Sequence, residues 1–267
     1  MFTDRYGFTM NSFDKQSLRV EDAFLSTDHK ETIGRLNHLV DGRGIGIFTA
    51  APGLGKTFAI RCFAKTLNPR LHRLLYVCMS TVSVMDFYRQ FCMILNIETS
   101  YKKSSMFKAI QDRLLANHRD QHIPYIIVID EAHHLQTDIL IDLKLLMNFQ
   151  YDSLNPFSLV LVGEPYLNRN LDKGVHEALR QRIMVHYDFT GLTGNEVEEY
   201  LRHKFITSNA SFDILGEGVV TAIASCSNGN PRMIDNLMTQ ALTIGAQKKL
   251  QVIDTDVIYS ASNSLVL

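Results

Sequence analysis

The amino-acid sequence predicts an α/β fold in which a parallel sheet is flanked by helices and followed by a small, all-helical C-terminal domain. A glycine-rich loop near residue 50 joins a short apolar run to a helical pattern, as a loop between a buried strand and a helix does. Four further apolar runs alternate with helical patterns as far as residue 189, which is typical of parallel sheets. Beyond residue 190 only helical patterns occur.

The composition excludes several classes of protein. The chain has 267 residues, of which 46% are hydrophobic, and a net charge of −1, which are ordinary values for a globular protein. Its four cysteines lie far apart without metal-ligand spacing, so they are predicted to be reduced thiols of a cytoplasmic protein. Residues 1–15 lack the apolar core of a signal peptide, and apolar runs such as Tyr125–Ile129 are too short to span a membrane.

Residues 1–25 are predicted to form an N-terminal arm, because spaced aromatic side chains occur there without a helical or strand period. We expect this arm to pack on the α/β domain that follows. Residues 26–40 then show an amphipathic helical pattern, with Ile33, Leu36 and Leu39 on one stripe. A turn at residues 41–44 leads into the first predicted strand.

The stretch Ala-Ala-Pro-Gly-Leu-Gly-Lys-Thr at residues 50–57 has the composition of a phosphate-binding loop. Its two glycines allow backbone N–H groups to turn toward a phosphate, where a Cβ would obstruct the turn or the approach. Lys56 can reach the β- and γ-phosphates of ATP, and Thr57 can offer its hydroxyl to Mg²⁺. The usual pattern begins with glycine, and Ala50 is interpreted as a tolerated variant. The expected nucleotide contacts are Ala50, Pro52, Gly53, Leu54, Gly55, Lys56, Thr57 and Phe58.

A basic segment follows the phosphate-binding loop. A second strand is predicted at residues 74–79, a helix at about 84–95 and another helix from Ser104. Residues 61–119 contain ten Lys or Arg and three Asp or Glu, a net charge of +7, which suits contact with the phosphates of a nucleic acid. The alternative is that these charges only solvate helix faces. The predicted nucleic-acid contacts are Lys102, Lys103 and Arg119.

The apolar strand predicted at Tyr125–Ile129 is followed by two acidic residues, Asp130 and Glu131. Ligands of parallel sheets lie at the carboxyl ends of the strands, so both carboxylates are expected beside the phosphate-binding loop. Asp130 would bind Mg²⁺, usually through water, and Glu131 would act as the general base that activates the attacking water. This pair favours hydrolysis over binding alone. The adjacent His133 and His134 suggest a metal site, although such a pair more often lies at the surface or supports neighbouring site residues.

The remaining predicted elements complete the sheet and form the helical domain. Two more strands are predicted at residues 158–163 and 183–189, with helices at 137–149 and from about 177. Four C-terminal helices are predicted at about 193–208, 216–225, 231–249 and 254–262. The predicted domains are the arm (1–25), the α/β nucleotide-binding domain (26–190) and the helical domain (191–267).

Three motifs together resemble those of AAA+ ATPases. They are Gly-Leu-Gly-Lys-Thr at 53–57, Ile-Asp-Glu-Ala-His at 129–133 and Gly-Asn-Pro-Arg at 229–232. More narrowly, the chain resembles the ExeA/GspA-like ATPases of secretion and the related transposition helpers of the TnsC, TniB, IstB and MuB type. Segments that are similar to the ExeA-like group are Tyr-Gly-Phe at 6–8, Leu-Val-Gly-Glu-Pro at 161–165 and Leu-Arg-Gln-Arg-Ile at 179–183. The resemblance implies a P-loop AAA+ sheet with a helical lid.

The resemblance also implies roles for residues that periodicity cannot assign. Arg232, at the start of a lid helix, would be the sensor-2 arginine that contacts the phosphates of the nucleotide. Arg182 matches the arginine finger that reaches the site of a neighbouring subunit, with Arg180 as the alternate. A structural ion pair is the other interpretation of these arginines. Glu164 stands where the family usually has an uncharged polar sensor-1 residue, so its carboxylate would be repelled by the γ-phosphate unless it is turned away or paired.

The function that the resemblance implies is that of an ATPase that regulates transposition. With ATP and Mg²⁺ bound at subunit interfaces, the chains would assemble as a ring or helical filament on double-stranded DNA and recruit a transposase, and DNA would stimulate hydrolysis. No base-reading motif occurs, so DNA binding is expected to be sequence-nonspecific. The alternatives are an ExeA-like secretion- or envelope-associated ATPase, and a scaffold that binds ATP but turns it over slowly.

Overall fold

The computed structural model describes residues 2–17, 19–78, 83–151 and 153–265, apart from the side chain of residue 121. The chain divides into two compact units. The α/β unit contains Glu31–Pro52 and Lys56–Phe189, and the helical unit contains Met1–Lys30, Gly53–Gly55 and Thr190–Leu267. A parallel sheet with helices in one unit and helices in the other confirm the predicted fold class.

The sheet of the α/β unit has five parallel strands. They are β1 (Ile45–Thr49), β2 (Arg73–Cys78), β3 (Tyr125–Asp130), β4 (Phe157–Gly163) and β5 (Ile183–Asp188). Their order across the sheet is β2-β3-β4-β1-β5. The three inner strands are buried along their whole length, which explains their continuous apolar runs in the sequence. Each predicted strand therefore occurs, although Met79, which the sequence assigned to the second strand, lies outside the described residues.

The described residues contain twelve α-helices, which lie before, between and after these strands. They are α1 (Phe2–Tyr6), α2 (Thr27–Gly42), α3 (Lys56–Thr66), α4 (Val84–Ile94), α5 (Lys103–Ala116), α6 (Thr137–Leu146), α7 (Tyr166–Leu171), α8 (Glu177–Arg180), α9 (Gly194–Thr207), α10 (Val219–Ser227), α11 (Pro231–Gln247) and α12 (Thr255–Leu265). A π-helical segment, Asn117–Gln121, extends α5, and a short 3₁₀ turn, Ala132–His134, follows β3. Within the described part of the chain, no helix combines the length and apolarity that a membrane crossing requires.

Side-chain caps fix the beginnings of several helices. The Thr193 hydroxyl accepts a hydrogen bond from the backbone N–H of Glu196, and the Glu196 carboxylate accepts one from the backbone N–H of Thr193, so a capping box begins the predicted helix α9. At the start of α11 the Asn230 side chain accepts from the backbone N–H groups of Arg232 and Met233, ahead of a proline in the first turn. These caps satisfy N–H groups that a helix leaves unpaired at its first turn.

The N-terminal arm belongs to the helical unit. Tyr6, Phe8 and Phe13 are buried in the same hydrophobic core as α9–α12, and the Phe8 and Phe205 rings lie 5.3 Å apart. The expectation that the arm packs on the α/β domain was wrong. Its spaced aromatic residues showed that the arm would be buried, but a sequence without periodicity does not indicate which surface covers it.

Candidate functional site

The carboxyl ends of the parallel strands define the candidate site. Because β1, β3, β4 and β5 run in the same direction, their carboxyl ends lie at one edge of the sheet. The last residues of these strands are Thr49, Asp130, Gly163 and Asp188. Open α/β sheets bind ligands at this edge. The phosphate-binding loop, residues 50–55, leaves the same edge and leads into α3.

The loop adopts the backbone conformation that its glycines were predicted to permit. Gly53 has a φ of 91° and Gly55 a φ of 93°, values that side chains with a Cβ rarely adopt. Lys56, the first residue of α3, is 8% exposed, and its Nζ donates to the carbonyl oxygen of Ala50 at 3.1 Å. The ammonium is thus held against the loop, next to backbone N–H groups at the start of a helix, where anions bind.

Asp130 is the polar centre of the site. It is 2% exposed, and its Oδ2 accepts a hydrogen bond from the Thr57 hydroxyl at 2.7 Å. The Tyr76 hydroxyl donates to the same oxygen at 2.7 Å, and the backbone N–H of Glu131 donates to Oδ1 at 2.8 Å. The structure therefore brings together the two residues, Thr57 and Asp130, that the sequence predicted as Mg²⁺ ligands. Their oxygen atoms are donors of the kind that Mg²⁺ binds in proteins.

Tyr76 was missed by the sequence analysis. Burial and the hydrogen bond to Asp130 raise the pKa of its hydroxyl, so the group stays protonated and donates. The residue lies in β2, whose register places Tyr76 opposite Val128, two residues before Asp130 in β3. A tyrosine within an apolar strand looks like any core residue in the sequence, and only the strand pairing reveals that its hydroxyl reaches the acidic residue.

Glu131, which directly follows β3, has an unusual backbone conformation. Its φ of 55° and ψ of 33° lie in the left-handed region, which costs energy for a residue with a Cβ. Such outliers persist where the surrounding structure imposes them, often at functional sites. The side chain is partly exposed, which is compatible with the general-base role predicted from the sequence.

His133 lies between Glu131 and Glu164. Its Nδ1 accepts a hydrogen bond from the backbone N–H of Glu164 at 3.2 Å and lies 3.5 Å from Oε2 of Glu131. Its Nε2 lies 4.0 Å from Oε1 of Glu164. Burial and the neighbouring His134 lower the pKa of the His133 imidazole, although the two carboxylates act in the opposite direction. The sequence left open whether Glu164 would be turned away or paired, and here an imidazole faces its carboxylate.

The metal interpretation of the two histidines has limited geometric support. Possible ligand atoms of Glu131, His133 and His134 lie within 4.8 Å of one another. However, the His133 Nδ1 lone pair already accepts the N–H of Glu164. The imidazole is thus engaged by the protein, which agrees with the supporting role that the sequence also allowed.

A second polar cluster, missed by the sequence analysis, lies at the same edge of the sheet. The Asn168 Nδ2 donates to the Asp188 carboxylate at 2.8 Å and to the Thr49 hydroxyl at 3.0 Å, and that hydroxyl in turn donates to Asp188. Burial opposes ionisation of Asp188, but these hydrogen bonds outweigh it and lower the pKa of the carboxyl group. The cluster ties the end of β1, where the phosphate-binding loop begins, to the neighbouring β5.

The two candidate finger arginines lie at the other end of the sheet. Arg182 immediately precedes β5, and its guanidinium donates to the carbonyl oxygen of Met147 at 3.2 Å. The Arg180 guanidinium donates to the carbonyl oxygen of Leu171 at 3.0 Å and lies 3.8 Å from the Asp172 carboxylate. A strand of six residues, roughly 20 Å long, separates this end from the carboxylates at the other edge.

Arg232 lies close to part of the phosphate-binding loop within the helical unit. Its backbone N–H donates to the carbonyl oxygen of Gly53 at 3.4 Å. A Cβ on Gly53 would come within 2.9 Å of the Arg232 Cβ and 2.6 Å of the Asn230 Oδ1. This close approach, together with the positive φ, explains why a glycine occupies position 53.

Ion pairs and carbonyl contacts occupy several cations of the basic segment. The Lys103 ammonium lies 2.6 Å from Asp142, Lys108 pairs with Asp112, and Arg113 donates to the backbone carbonyl oxygens of Leu95 and Asn96. Lys102 and Arg119 are exposed. The segment is therefore less available to a polyanion than its net charge suggests, and Lys102 and Arg119 are the better placed of its three predicted contacts.

Comparison with known proteins identifies similar chains. The family model described as AAA domain matches residues 38–171, about half of the chain. General secretion pathway protein A of Aeromonas hydrophila is 28% identical over 247 residues, which are 91% of this chain and 44% of that protein. A potential ATP-binding protein of Staphylococcus aureus is 27% identical over 147 residues, 53% of this chain and 51% of that protein. The chain thus spans about half the length of the curated relatives it matches.

Solved structures with the same fold come from several organisms. Cdc6p of Pyrobaculum aerophilum superposes with a TM-score of 0.71 at 17% identity, over 96% of this chain and 71% of that one. The Aeropyrum pernix ORC1 protein in complex with DNA gives a TM-score of 0.65 at 18% identity, over 92% and 67%. The Thermotoga maritima RuvB Holliday junction branch migration motor gives 0.58 at 17% identity, over 88% and 69%. At these identities the likeness is one of fold.

Proposed function

Because this chain belongs to the AAA domain family, we propose that it hydrolyses ATP with Mg²⁺ at the interfaces between its copies. We further propose that these copies assemble on double-stranded DNA as a cytoplasmic regulator that recruits a transposase. The ATPase part of the proposal is carried by one observation, the hydrogen bond from the Thr57 hydroxyl to Asp130. This bond joins the phosphate-binding loop to the strand that delivers Glu131.

The residues of the site would have different roles in hydrolysis. Lys56 and the N–H groups of residues 53–57 would bind the phosphates, and Thr57 and Asp130 would hold Mg²⁺, which neutralises developing charge on the phosphates when bound. Glu131 would accept a proton from the attacking water. Arg232 would contact the phosphates as well, a role supported by its position beside Gly53.

The distance between the arginines and the carboxylates supports hydrolysis in an assembly. Arg182 and Arg180 precede β5, whereas Glu131 and Glu164 follow the far ends of β3 and β4. An arginine of this chain would therefore complete the site of a neighbouring copy more readily than its own. An arginine finger supplied in trans raises the rate by about 10³–10⁵-fold, so an isolated chain would turn over slowly.

The DNA part of the proposal is supported by the exposed Lys102 and Arg119, and by a fold shared with ORC1, a protein whose structure was determined in complex with DNA. The test measures ATP hydrolysis with and without duplex DNA, and gel shifts with a non-hydrolysable ATP analogue at low salt. We expect stimulated hydrolysis and a shift that weakens as salt rises. Replacing Lys102 and Arg119 with Ala should weaken the shift, whereas Lys108→Ala, a control that removes a cation already paired with Asp112, should not. Hydrolysis indifferent to DNA, with no shift, would contradict this part.

A second candidate function, an ATPase associated with secretion or the envelope, is favoured by the similarity to general secretion pathway protein A over 91% of this chain. Under this function the purified protein should bind membrane vesicles or an envelope protein and should not bind duplex DNA. Sedimentation with vesicles, compared with the gel shift under the same nucleotide conditions, separates the two candidates.

A third candidate, a scaffold gated by ATP with slow turnover, makes a different prediction for Glu131→Gln. In an ATPase this variant should accumulate an ATP-bound assembly that the wild type dissolves by hydrolysis. In a scaffold, both proteins should form the same assembly with the same lifetime. Light scattering after addition of ATP distinguishes these outcomes.

A further inference from the structure

We propose that His133 is a positioning residue for ATP hydrolysis, which holds the end of β4 through the N–H of Glu164 and separates the Glu164 carboxylate from Glu131. The inference rests on the proposed ATPase function and concerns the same site. The Ile-Asp-Glu-Ala-His motif ends at this histidine, and the sequence allowed it only an unspecified supporting role.

Hydrogen-bond chemistry fixes the protonation of the ring. The backbone N–H of Glu164 can only donate, so the His133 Nδ1 that it contacts at 3.2 Å must be an unprotonated acceptor. The proton of a neutral imidazole is then on Nε2, the atom that faces Oε1 of Glu164. The lowered pKa of the ring favours this neutral form.

The sheet explains why two acids meet at this point. β3 and β4 are neighbours and parallel, so Glu131 and Glu164, which directly follow them, lie side by side. Two carboxylates in close proximity repel each other, so their side chains need a group between them that keeps each in place. The imidazole stands between them, 3.5 Å from Oε2 of Glu131 and 4.0 Å from Oε1 of Glu164, and presents a proton only to the latter.

Gly163 makes room for this arrangement. A Cβ at position 163 would lie 3.1 Å from the His133 backbone nitrogen and 3.4 Å from its Nδ1, closer than most side chains tolerate. His133 is 9% exposed, and the centroid of its ring lies 4.0 Å from the centroid of the His134 ring. The contact between the end of β3 and the end of β4 is therefore tight, and loss of the ring would leave both the Glu164 N–H and its carboxylate free to move.

The experiment compares His133→Ala, His133→Asn and His134→Ala in the full chain. With His133→Ala, kcat should fall about 10- to 100-fold, since a misplacement of about 1 Å costs up to about 100-fold. KM and the affinity for a fluorescent ATP analogue should stay unchanged, because the phosphate-binding residues are untouched. In His133→Asn the amide oxygen can accept the N–H of Glu164, so most of the rate should return. His134→Ala removes the exposed neighbouring ring but neither contact between His133 and Glu164, so it should lower kcat far less than His133→Ala does.

Several outcomes would overturn the inference. A normal kcat in His133→Ala would show that the ring positions nothing, and equal losses in the Ala and Asn variants would indicate a packing role. The ¹⁵N spectrum of histidine-labelled wild type gives a readout that does not depend on turnover. It should show Nε2 protonated and Nδ1 unprotonated at neutral pH, and the opposite tautomer would contradict the proposal. A wild type that binds ATP without hydrolysing it would instead refute the ATPase function, while the NMR measurement would still test the imidazole geometry.

Discussion

Two carboxyl groups, the buried Asp130 of the α/β unit and the partly buried Asp235 of the helical unit, are held in different ways. Asp130 accepts hydrogen bonds from two hydroxyls and a backbone N–H, which carry no net charge. Asp235 lies 3.3 Å from the ammonium of Lys204, a lysine that is 4% exposed, and accepts a hydrogen bond from Tyr200. Neutral donors leave the charge of Asp130 available to a cation, whereas the charge of Asp235 is balanced by the protein. The first arrangement suits a ligand site, and the second suits a structural contact.

The Lys204 contact also explains how the N-terminal arm is held. Its ammonium donates to the carbonyl oxygen of Ser12 at 2.7 Å, in addition to pairing with Asp235. One buried cation thus connects the arm to two helices of the same unit. The comparison predicts that changes near Asp130 affect activity with little loss of stability, and that changes near Asp235 do the reverse.

The largest expected effect is that of Glu131→Gln, next to Asp130. Loss of a general base lowers the rate of hydrolysis by about 10²–10⁴-fold. The free energy of unfolding should change by less than about 0.5 kcal/mol, since the side chain is partly exposed. Phosphate release and urea denaturation of the same preparation check both statements. A large loss of stability in Glu131→Gln would contradict the prediction that changes near Asp130 affect mainly activity.

The next effect concerns Lys204→Met in the helical unit. Removal of Lys204 leaves Asp235 without its cation, so the carboxyl group must either stay charged and unpaired or take up a proton. Breaking a buried ion pair costs up to about 3–5 kcal/mol of stability, measured by urea denaturation, and the partial exposure of Asp235 places the expected loss at the lower end. The double variant with Asp235→Leu removes both charges and should recover a large part of this loss. If the single and double variants were equally unstable, the lost packing of the lysine stem, rather than the unpaired carboxylate, would be the cause.

A pH dependence of stability should distinguish Asp235. Burial raises the pKa of its carboxyl group to about 6, against the opposing effects of Lys204 and Tyr200. A carboxyl whose pKa is higher in the folded state stabilises the fold in its protonated form, so this contribution is present at about pH 4 and is lost as the pH rises through about 6. Asp235→Asn does not titrate, and the difference in unfolding free energy between it and the wild type should therefore change over this pH window. A constant difference would argue against the raised pKa.

The smallest effect is expected for Tyr76→Phe, which removes one of the two hydroxyl donors to Asp130. The loss of a single hydrogen bond lowers the free energy of unfolding by about 1 kcal/mol. Because Thr57 and the Glu131 N–H still hold the carboxylate, hydrolysis should persist, with a modest rise in the Mg²⁺ concentration that gives half-maximal activity. A Mg²⁺ titration of the steady-state rate measures this shift. An unchanged titration would mean that Tyr76 only packs against the strand.

The sequence predicted the parts of this molecule that depend on local pattern. The strand–loop–helix at residues 45–66 and the strand ending at Asp130 follow from apolar runs and glycines, and the structure contains both. Contacts between distant segments were not predictable in this way. The hydrogen bond from Tyr76 to Asp130 depends on which strands are neighbours, and the core partner of the arm depends on tertiary packing.

His133 illustrates the same limit within the site. An adjacent pair of histidines after a strand indicates only that nitrogen ligands lie near the carboxylates. Which nitrogen accepts, and from which N–H, is decided by the neighbouring strand β4 and by the space that Gly163 leaves. The roles that the resemblance implies for Arg182 and Arg232 remain predictions, since each depends on a nucleotide or on a second copy of the chain.

The opposite locations of Arg182 and Asp130 on one sheet give the proposed assembly a direction. In that assembly each copy would supply an arginine at one side and a nucleotide-binding pocket at the other, so contacts between copies would be head-to-tail. An open row then always ends in one pocket that no arginine reaches, whereas a closed ring has none. Turnover per copy should therefore be lowest in short rows and should rise with length, and the copy at the uncompleted end would retain its triphosphate the longest.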